Sequence, residues 1–365
     1  MDKDNSAALQ NIEDEYNKLN IKRNDIEIWE DGMRTTGQKN TFEWWYTDAE
    51  FEDGTTIVVV FFTKFGFDVK GPAHPTATID ITLPDGTKII QQVCEQKGQV
   101  IDASRKMCDV KVKESYIKYI DGDYELQYKD EKIEYRAHMK SLLPMWRPET
   151  GHMFFGKKQE VFFAWMPAQP SCKVDATLSV DGKQKNIKGI GYHDHNWGNI
   201  SMNKVMNHWY WGRANIGGYT IITSDIISEK KYGYKRLPIF MIAKDGKIIE
   251  TDLTKTKVIR QDTYQHEVTG KFMDNHLTFI NYHDGAEYKV EFMRKRDIVA
   301  ASLLEQLPKS KRFIAKLIGA NPTYVRILGD VRLTITKDGK SDVIEHEGLW
   351  EQMFFGSNKH AIINP

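Results

Sequence analysis

Eight Asp-Gly pairs punctuate this sequence, and they constrain its fold more than any other feature. They fall at residues 31–32, 53–54, 85–86, 121–122, 181–182, 245–246, 284–285 and 338–339. Most lie between short runs of alternating or β-branched residues, and Asp-Gly tolerates the positive φ angles of the tight type I′ turn that joins antiparallel strands. We therefore predict an all-β protein of consecutive hairpins, because no helix-period segments alternate with the strands as in a parallel βαβ fold.

Two segments depart from the strand pattern and are predicted to be helical. Residues 6–20 place their apolar side chains on one helical face, which indicates an N-terminal amphipathic helix. Residues 297–320 also have a helical pattern, interrupted at Pro308, and residues 309–320 are apolar on one side and basic on the other. We interpret this second helix as packed against the protein, and a peripheral membrane contact through residues 309–320 is the alternative.

The length of the chain and its balanced charge define the broad class of protein. Single hydrophobic cores stop growing at roughly 250–300 residues, so 365 residues predict two domains. We expect a helical extension over residues 1–39, a first β-domain over residues 40–190 and a second over residues 191–365 with a helical insertion near 297–320. The 51 basic residues equal the 51 acidic residues in number, which argues against a nucleic acid partner.

The location of the protein is predicted from features that the sequence lacks. The first twenty residues have no apolar signal-peptide segment. No run approaches the ~20 apolar residues of a membrane span. Cys94, Cys108 and Cys172 form no CxxC pair, which is typical of reduced thiols. We therefore expect a cytoplasmic protein, peripheral to a membrane if residues 309–320 contact one.

Aromatic and ionisable residues concentrate in three short clusters. The first is Glu43, Trp44, Trp45 and Tyr46, and the second is Tyr192, His193, Asp194, His195, Asn196 and Trp197, set between Gly191 and Gly198. The third is His208, Trp209, Tyr210, Trp211 and Arg213. An aromatic-lined pocket that holds a few ionisable groups suits the binding of a large apolar ligand and reaction with it at one point. We therefore take Asp194, His193, His195 and Glu43 as candidate catalytic groups and the other residues of these clusters as candidate substrate contacts.

Asp194 is the candidate acid because it stands between two imidazoles. Burial raises the pKa of a carboxyl group, whereas a protonated histidine nearby lowers it. An acid that protonates an alkene needs both influences, and aromatic walls then stabilise the resulting cation by roughly 2 kcal/mol or more for each desolvated contact. The alternative, which the sequence supports equally, is that Asp194 fixes a turn through local backbone hydrogen bonds.

His193 and His195 share one face of a strand, a spacing that occurs in metal sites. His208 or Glu43 could supply a third ligand, but no HExxH motif or cysteine-based spacing accompanies the pair. We therefore predict no metal site, and we expect the two imidazoles to bond with Asp194 or with neighbouring backbone groups.

Strand alternation sends Glu43 and Trp45 to one face and Trp44 and Tyr46 to the other. A buried glutamate needs a partner, since an unpaired buried charge is costly. Arg213 or a histidine of the third cluster is a candidate partner. The alternative is a surface glutamate beside core aromatic residues, and the crowding of tryptophans favours the pocket.

Motifs for nucleotide cofactors and for acyl-enzyme chemistry are absent from the sequence. It contains no Gly-rich phosphate loop, no Gly-x-Ser-x-Gly elbow and no Cys–His pair in a recognisable context. We therefore expect an activity that uses no cofactor.

Three segments, taken in order, resemble one protein family. They are Phe42–Tyr46, Gly191–Gly198 and Gly348–Met353, the last of which contains Trp350. Together they are similar to the hydroxyneurosporene synthase, or carotenoid 1,2-hydratase, family of lipocalin-like proteins, which also includes fungal decalin-forming Diels–Alderases and kievitone hydratase. The resemblance spans about residues 40–355, and the central segment is its most specific part.

The resemblance implies two consecutive lipocalin-like antiparallel β-barrel or sandwich domains, with a ligand held in or between them. It assigns the role of proton donor to Asp194 and adds Trp350 to the candidate substrate contacts. The N-terminal helix and the 297–320 insertion depart from the common core of the family.

These observations predict a cofactor-independent hydratase or cyclase whose partner is a hydrophobic small molecule, an isoprenoid or a polyene. Asp194 would protonate an alkene, and the aromatic clusters would hold the cation. Two alternatives stay open: a pericyclase of the Diels–Alderase kind, in which the pocket folds a polyene without an acid, and a non-catalytic lipid-binding protein. The sequence does not indicate an oligomeric state.

Overall fold

The computed structural model describes residues 6–66, 69–303 and 321–355. Its contacts divide the chain into two compact units. We call them the N-terminal unit (Leu9–Phe154 and Gln159–Ser201) and the C-terminal unit (Met1–Ala8, Phe155–Lys158 and Met202–Pro365). The described residues form two antiparallel sheets and little helix, which confirms the predicted all-β, lipocalin-like class.

The first sheet contains 13 strands among the described residues. They are β1 (Ala7–Leu9), β2 (Phe42–Phe51), β3 (Thr56–Lys64), β4 (Thr76–Thr82), β5 (Lys88–Cys94), β6 (Asp102–Ala103), β7 (Asp109–Val112), β8 (Ser115–Ile120), β9 (Asp123–Lys129), β10 (Ile133–Ser141), β11 (His152–Phe155), β12 (Val161–Val180) and β13 (Lys183–Gly198). Its main path runs β5-β4-β3-β2-β13-β12-β10-β9-β8-β7-β6. The strand that carries the central motif, β13, therefore lies between β2 and β12.

The second sheet contains nine strands in the described part of the chain. They are β14 (Met206–Ile216), β15 (Tyr219–Ser228), β16 (Arg236–Lys244), β17 (Lys247–Glu250), β18 (Lys257–Gln265), β19 (Phe272–His283), β20 (Ala286–Ser302), β21 (Thr323–Lys337) and β22 (Lys340–Phe354). Their order is β17-β16-β15-β14-β22-β21-β20-β19-β18, so β14 and its aromatic cluster pair with β15 and β22.

Apolar side chains of the described residues pack into a hydrophobic core in each unit. Trp45, Phe61 and Tyr124 belong to the core of the N-terminal unit, and Phe240 and Trp350 belong to that of the C-terminal unit. The strands that supply these residues are rich in β-branched and aromatic side chains, which favour a pleated, buried surface.

No helix among the described residues is long and apolar enough to cross a bilayer.

The predicted boundary between the two domains, at residues 190 and 191, is wrong. The chain divides at Ser201 and Met202 instead, because β13 continues without interruption to Gly198. β13 pairs with β2 from Gly189 onwards and with β12 from Lys183 onwards, so the whole central motif belongs to the N-terminal unit.

The predicted N-terminal helical extension is only partly correct. Residues 7–9 form β1, and the helix α1 is limited to Glu13–Leu19, followed by a short 3-10 helix at Ile28–Asp31. Residues 9–39 are part of the N-terminal unit rather than an appendage. Tyr16 is buried in that unit, which ties the helix to it.

The predicted helical insertion near 297–320 is wrong where the structure describes it. β20 continues through residue 302, and its ladder with β21 extends to the pair Ser302 and Thr323. Pairing with a long neighbouring strand outweighs the local helical pattern. Residues 304–320 lie outside the described residues, and so does the predicted membrane contact of residues 309–320.

Candidate functional site

The alternation of β2 and β13 separates the predicted site residues onto two faces of the sheet. Glu43, Trp45, His193, His195 and Trp197 point towards the apolar core, where Trp45 and Trp197 are core residues. The opposite face carries Trp44, Tyr46, Tyr192, Asp194 and Asn196. On it, Asp194 is directly opposite Tyr46 and Asn196 is directly opposite Trp44. Asp194 therefore does not bond with the two histidines, and of the two expected kinds of partner only the backbone is found, at the Tyr46 carbonyl oxygen beside His193.

An aspartate that was not predicted, Asp31, is the partner of His193. It ends the 3-10 helix, is fully buried, and accepts hydrogen bonds from Tyr124 Oη (2.7 Å) and His193 Nε2 (3.1 Å). His193 Nδ1 lies 2.8 Å from the carbonyl oxygen of Tyr46, which can only accept. Both ring nitrogens therefore act as donors, and His193 is an imidazolium opposite an Asp31 carboxylate.

The pKa values of this pair move in the directions that such an ion pair requires. Burial opposes the charge on His193, but attraction to Asp31 and their hydrogen bond outweigh burial and raise the pKa of His193. Burial likewise opposes the charge on Asp31, but His193, His195 and the Tyr124 hydroxyl together lower the pKa of Asp31. The pair is therefore ionised at neutral pH.

Glu43 is buried, and its partner is His195 rather than Arg213. His195 Nε2 lies 2.8 Å from Glu43 Oε1, and the backbone N–H groups of Arg34 and Thr35 donate to the two oxygens of the carboxylate at 2.6 and 2.5 Å. We call Asp31, Glu43, His193 and His195 the charged cluster. The His195 ring also stacks on Trp45 at 4.7 Å, so this cluster is enclosed by aromatic side chains.

Cys108, the residue directly before β7, lies next to the charged cluster. Its sulfur, an Asp31 oxygen and a His193 nitrogen are three atoms that could bind a metal. The three potential ligand atoms lie within 4.8 Å of one another. Burial raises the pKa of the Cys108 thiol well above its usual range, and the neighbouring Asp31 carboxylate raises it further. Within this trio, His193 Nε2 donates a hydrogen bond to Asp31 Oδ2.

Asp194 is buried within a shell of uncharged hydrogen-bond donors. Its Oδ2 accepts from Trp165 Nε1 and Tyr192 Oη, both at 2.8 Å, and its Oδ1 accepts from Asn196 Nδ2 at 2.6 Å. Burial raises the pKa of Asp194 to about 6, although the three donors and His193 act in the opposite direction. The alternative role of fixing a turn is wrong, because Asp194 lies inside β13 and its bonds go to side chains.

Aromatic rings surround Asp194 on this face of the sheet. The Tyr46 ring meets the Tyr192 ring edge-on at 6.3 Å, and Trp165 packs edge-on against Trp146 at 6.0 Å. Trp44 and Tyr46 are partly exposed, whereas Asp194 is only 7% exposed. We call Trp44, Tyr46, Trp165, Tyr192, Asp194 and Asn196 the Asp194 face.

A separate cavity of about 350 Å³ lies within the N-terminal unit. Its wall includes Trp29, Arg34, Arg147, His152 and Trp197. Among the predicted site residues, Trp197 lines this cavity and Asp194 does not. Arg147, Thr150 and His152 of its lining come from the segment 141–158.

The third cluster occupies β14 in the C-terminal unit, where it also alternates between two faces. His208 and Tyr210 lie on the core side, while Trp209, Trp211 and Arg213 lie on the other. Trp209 Nε1 donates to Glu351 Oε1 at 3.2 Å. Trp350, directly opposite Gly212 on β22, packs edge-on against Phe292 in the core.

His208 belongs to a buried ionic group that sequence reasoning missed. Its Nε2 lies 2.8 Å from Arg260 Nη1, and its ring stacks on Phe354 at 5.0 Å. Asp225 pairs with Arg260 at 2.6 Å and with Arg236 at 3.1 Å. Burial, followed by the nearby arginines, lowers the pKa of His208 well below its usual range, so the imidazole is neutral and accepts from Arg260.

The missed residues of the N-terminal unit left few signals in the sequence. Asp31 is part of the first Asp-Gly pair, but it ends a 3-10 helix rather than forming a hairpin turn. Tyr124, His152 and Trp165 come from strands whose local patterns are ordinary. Only the tertiary fold brings them to the site.

An all-β, lipocalin-like fold with a buried carboxyl group among aromatic rings defines the class of this protein. The family model described as Diels-Alderase-like matches residues 33–298, and the chain therefore belongs to the Diels-Alderase-like family. The family resemblance that the three motifs indicated is confirmed.

Curated relatives are similar over part of the chain. The quinolone epoxide rearrangement protein penF of Penicillium thymicola is 27% identical over 92 residues, which cover 25% of each chain. The quinolone epoxide rearrangement protein asqO of Emericella nidulans is 22% identical over 52% of this chain and 55% of its own. Hydroxyneurosporene dehydrogenase of Chlorobaculum tepidum is 24% identical over 48% and 53%. The chain thus matches a quarter to about half of the length of these relatives.

Two solved structures share the fold. CghA with Sch210972 superposes with a TM-score of 0.61 at 16% identity, covering 88% of this chain and 89% of the other. Kievitone hydratase from Nectria haematococca has a TM-score of 0.51 at 13% identity, covering 89% and 93%. At these identities the likeness establishes the architecture alone.

Proposed function

We propose that this protein is a cofactor-independent enzyme that acts on a hydrophobic small molecule, with Asp194 as its general acid. The observation that carries the proposal is the environment of Asp194: a buried carboxyl group, surrounded by aromatic rings, whose pKa burial raises to about 6. At pH 7 such a carboxyl group is protonated in roughly a tenth of the molecules, and these molecules can donate the proton to a substrate.

The proposed reaction begins with transfer of the Asp194 proton to one carbon of a substrate alkene. The electron pair of the double bond forms the new C–H bond, which leaves a tertiary cation and an Asp194 carboxylate. Water then adds to the cation and the resulting oxonium loses a proton to the carboxylate. Alternatively, a second double bond closes a ring, and the new cation loses a proton from a neighbouring carbon to the carboxylate, which leaves a double bond. The donors from Trp165, Tyr192 and Asn196 stabilise the carboxylate between these two steps.

The remaining predicted residues take different roles in this proposal. Trp44, Tyr46 and Tyr192 are the substrate contacts nearest to Asp194, and their ring faces would stabilise a cation. Glu43, His193 and His195 are positioning residues, because they lie on the other face of the sheet and join β2 to β13 and to the segment 31–35. The third cluster, with Trp209, Trp211 and Arg213 on one face of β14, is proposed as a further contact surface for the ligand.

The names of the relatives describe reactions that an acid can promote. Two of them act in quinolone epoxide rearrangement, as their names state, and a structural neighbour is a hydratase. An acid that protonates an alkene can also protonate an epoxide oxygen, which opens the ring to a cation. Hydrophobic alkenes and epoxides, isoprenoid or polyene in type, are therefore the proposed substrate class.

A pericyclase is the second candidate, because the family is described as Diels-Alderase-like. In that reaction the site would fold a polyene into a reactive conformation, and proton transfer would not be needed. Asp194 would then contribute only to the shape and polarity of the site.

The substitution Asp194→Asn separates the two candidates. The amide keeps the size of the side chain and can still accept from Trp165 and Tyr192, but it has no proton to transfer. We expect turnover to fall at least 100-fold, measured by mass spectrometry of product formed from a panel of acyclic carotenoids, linear polyenes and quinolone epoxides. Asp175→Asn, at an exposed aspartate on β12, is the matched control and should leave turnover unchanged.

Retained turnover in the Asp194→Asn variant would exclude the acid and favour the pericyclase. Substitution of Trp44 or Tyr46 by alanine should then reduce turnover more than loss of the carboxyl group does. Binding of substrate by the Asp194→Asn variant, followed through tryptophan fluorescence, verifies that the loss is in chemistry rather than in folding.

A further inference from the structure

The cavity lined by His152 shares no lining residue with the Asp194 face. His152 is 7% exposed, and its Nδ1 lies 2.8 Å from the carbonyl oxygen of Thr150. A carbonyl oxygen can only accept, so the hydrogen of the neutral ring is on Nδ1. Nε2 therefore carries a lone pair, and no described residue donates a hydrogen bond to it. The His152 side chain lines the cavity.

Aromatic rings fix the His152 ring in this orientation. It stacks on Phe154 at 5.8 Å with an interplanar angle of 17°, and it contacts Phe162 at 5.2 Å and Trp197 at 5.3 Å. Burial lowers the pKa of His152 to about 4, and the positive charges of Arg147 and Arg34 contribute. The ring is thus a neutral acceptor throughout the physiological range of pH.

The charges around the cavity restrict what can enter it. The guanidinium of Arg147 is paired with Glu30 at 2.7 Å, so these two charges cancel. Arg34 instead bonds to the backbone carbonyl oxygens of residues 29, 32 and 105 and lies over the Trp29 ring, so its charge has no carboxylate in direct contact. The cavity therefore has a positive excess that disfavours a cation.

The size of the cavity restricts its occupant further. Its volume of about 350 Å³ lies at the lower end of the range of small-molecule pockets, ~300–1,000 Å³. Trp29, Phe162 and Trp197 provide flat apolar walls, so two or three fused rings suit it and a C40 polyene does not. An acceptor in the wall of a cavity, in a side chain that is only 7% exposed, favours a ligand that supplies a donor.

We propose that this cavity binds an uncharged, flat aromatic molecule of two or three fused rings that donates an O–H or N–H hydrogen bond to His152 Nε2. Trp197 forms the wall between this site and the charged cluster, since its ring lies 4.7 Å from His195 on its other side. Arg34 and Thr35, whose backbone N–H groups hold Glu43, also line the cavity. An occupant therefore contacts the residues that support the charged cluster without contacting the Asp194 face.

Calorimetric titration with a matched pair of probes tests the proposal on the full-length protein. 2-Naphthol carries the required donor, and 2-methoxynaphthalene has the same rings with the donor capped. We expect 2-naphthol to bind at least tenfold more tightly. His152→Asn should abolish this preference, because its amide can still bond to the Thr150 carbonyl oxygen but does not reach the position of Nε2.

Further variants distinguish loss of the acceptor from loss of the fold. His152→Gln places an amide oxygen near the position of Nε2 and should restore part of the preference. His346→Asn, at an exposed histidine on β22, should not change it. Asp194→Asn should also bind both probes as the wild type does, so that failure of the proposed reaction and failure of this site are separate results.

Equal affinities of the two probes for the wild type would overturn the proposal, as would an undiminished preference in His152→Asn. Absence of binding by either probe at millimolar concentration would show that the cavity does not accept fused rings and would overturn it as well.

Discussion

At the scale of single residues, two buried aspartates in the N-terminal unit have pKa values that move in opposite directions. Asp31 faces the His193 imidazolium, and the attraction lowers its pKa despite burial. Asp194 faces uncharged donors from Trp165, Tyr192 and Asn196, so burial prevails and raises its pKa to about 6. The chemical roles follow from this contrast: Asp31 is a permanent counterion, and Asp194 can exchange a proton near neutral pH.

Substitution of Asp31 by asparagine should destabilise the protein strongly. It removes the counterion of a buried imidazolium, and the neutral amide that takes its place does not balance the charge of His193. Loss of one partner from a buried ion pair costs about 3–5 kcal/mol. Urea unfolding at pH 7 measures the change, and NMR titration should show a lower pKa for His193 in the variant.

The control for this prediction is Asp175→Asn, which breaks an exposed ion pair with Lys188. Exposed pairs contribute less than about 1 kcal/mol. A loss for Asp31→Asn no larger than that of the control would show that the His193–Asp31 pair does not have the charges assigned to it.

The sequence allowed the face of the sheet on which each of these side chains lies to be predicted, but not the residue that it contacts. The alternation of Glu43, Trp44, Trp45 and Tyr46 assigned each side chain to the correct face, because a strand has a strict period of two. The partners were not predictable, since Asp31 is separated from His193 by 162 residues. The alternation of side chains within one strand does not indicate which distant segment of the chain packs against that strand.

At the scale of elements, the Asp-Gly pairs show what a dipeptide does and does not determine. Both residues have positive φ in the pairs that begin at residues 121, 181, 245, 284 and 338, as the predicted type I′ turn requires. In the pairs at 53–54 and 85–86 only the glycine has positive φ, and the aspartate side chain accepts from the backbone N–H two residues further on. The hairpins were predictable from the dipeptide, but the type of turn depends on this competing bond.

The two helix predictions were wrong over part of their length for a related reason, although α1 does form at Glu13–Leu19. Residues 7–9 and 297–302 have apolar spacing that suits a helix, yet both are strands in the structure. The β20 residues continue a ladder with β21 as far as Ser302. Pairing with a neighbouring strand gives backbone N–H and C=O groups their hydrogen-bond partners, and local spacing does not reveal that such a neighbour exists.

Close packing of β13 against β2 makes Gly189 sensitive to substitution. A Cβ atom at Gly189 would lie 2.1 Å from the carbonyl oxygen of Glu50 and 2.8 Å from the Cα atom of Phe51. These are backbone atoms of a paired strand and cannot move independently. Gly189→Ala should therefore lower the free energy of unfolding by roughly 2–4 kcal/mol, as overpacking in a well-ordered region does.

Gly182→Ala is the matched control, because Gly182 is also adjacent to β13 but lies in a turn with open space around it. Its φ of +77° makes alanine unfavourable by about 1 kcal/mol. Chemical denaturation should rank Gly189→Ala as the more destabilising change. The reverse order would mean that β2 and β13 are farther apart than the structure shows.

At the scale of the whole molecule, acid and base groups in the same unit give opposite responses to pH. Burial holds His152 neutral, with a pKa of about 4, and holds Asp194 protonated up to a pKa of about 6. Between roughly pH 4 and 6.5 the unfolded chain binds more protons than the folded one at His152. Between roughly pH 3.8 and 6 the folded chain binds more protons than the unfolded one at Asp194.

The single substitutions His152→Asn and Asp194→Asn should make these opposing slopes visible. The His152 contribution to the free energy of unfolding rises with pH across its window, so the wild type should gain about 3 kcal/mol relative to His152→Asn between pH 4 and 7. The Asp194 contribution falls with pH, so the wild type should lose a similar amount relative to Asp194→Asn over the same range. Urea unfolding curves at a series of pH values measure both differences. The two effects nearly cancel in the wild type, so its free energy of unfolding is expected to vary less with pH than that of either variant. If the differences between wild type and variant change with pH in the same direction for both variants, the assignment of a neutral His152 and a protonatable Asp194 is contradicted.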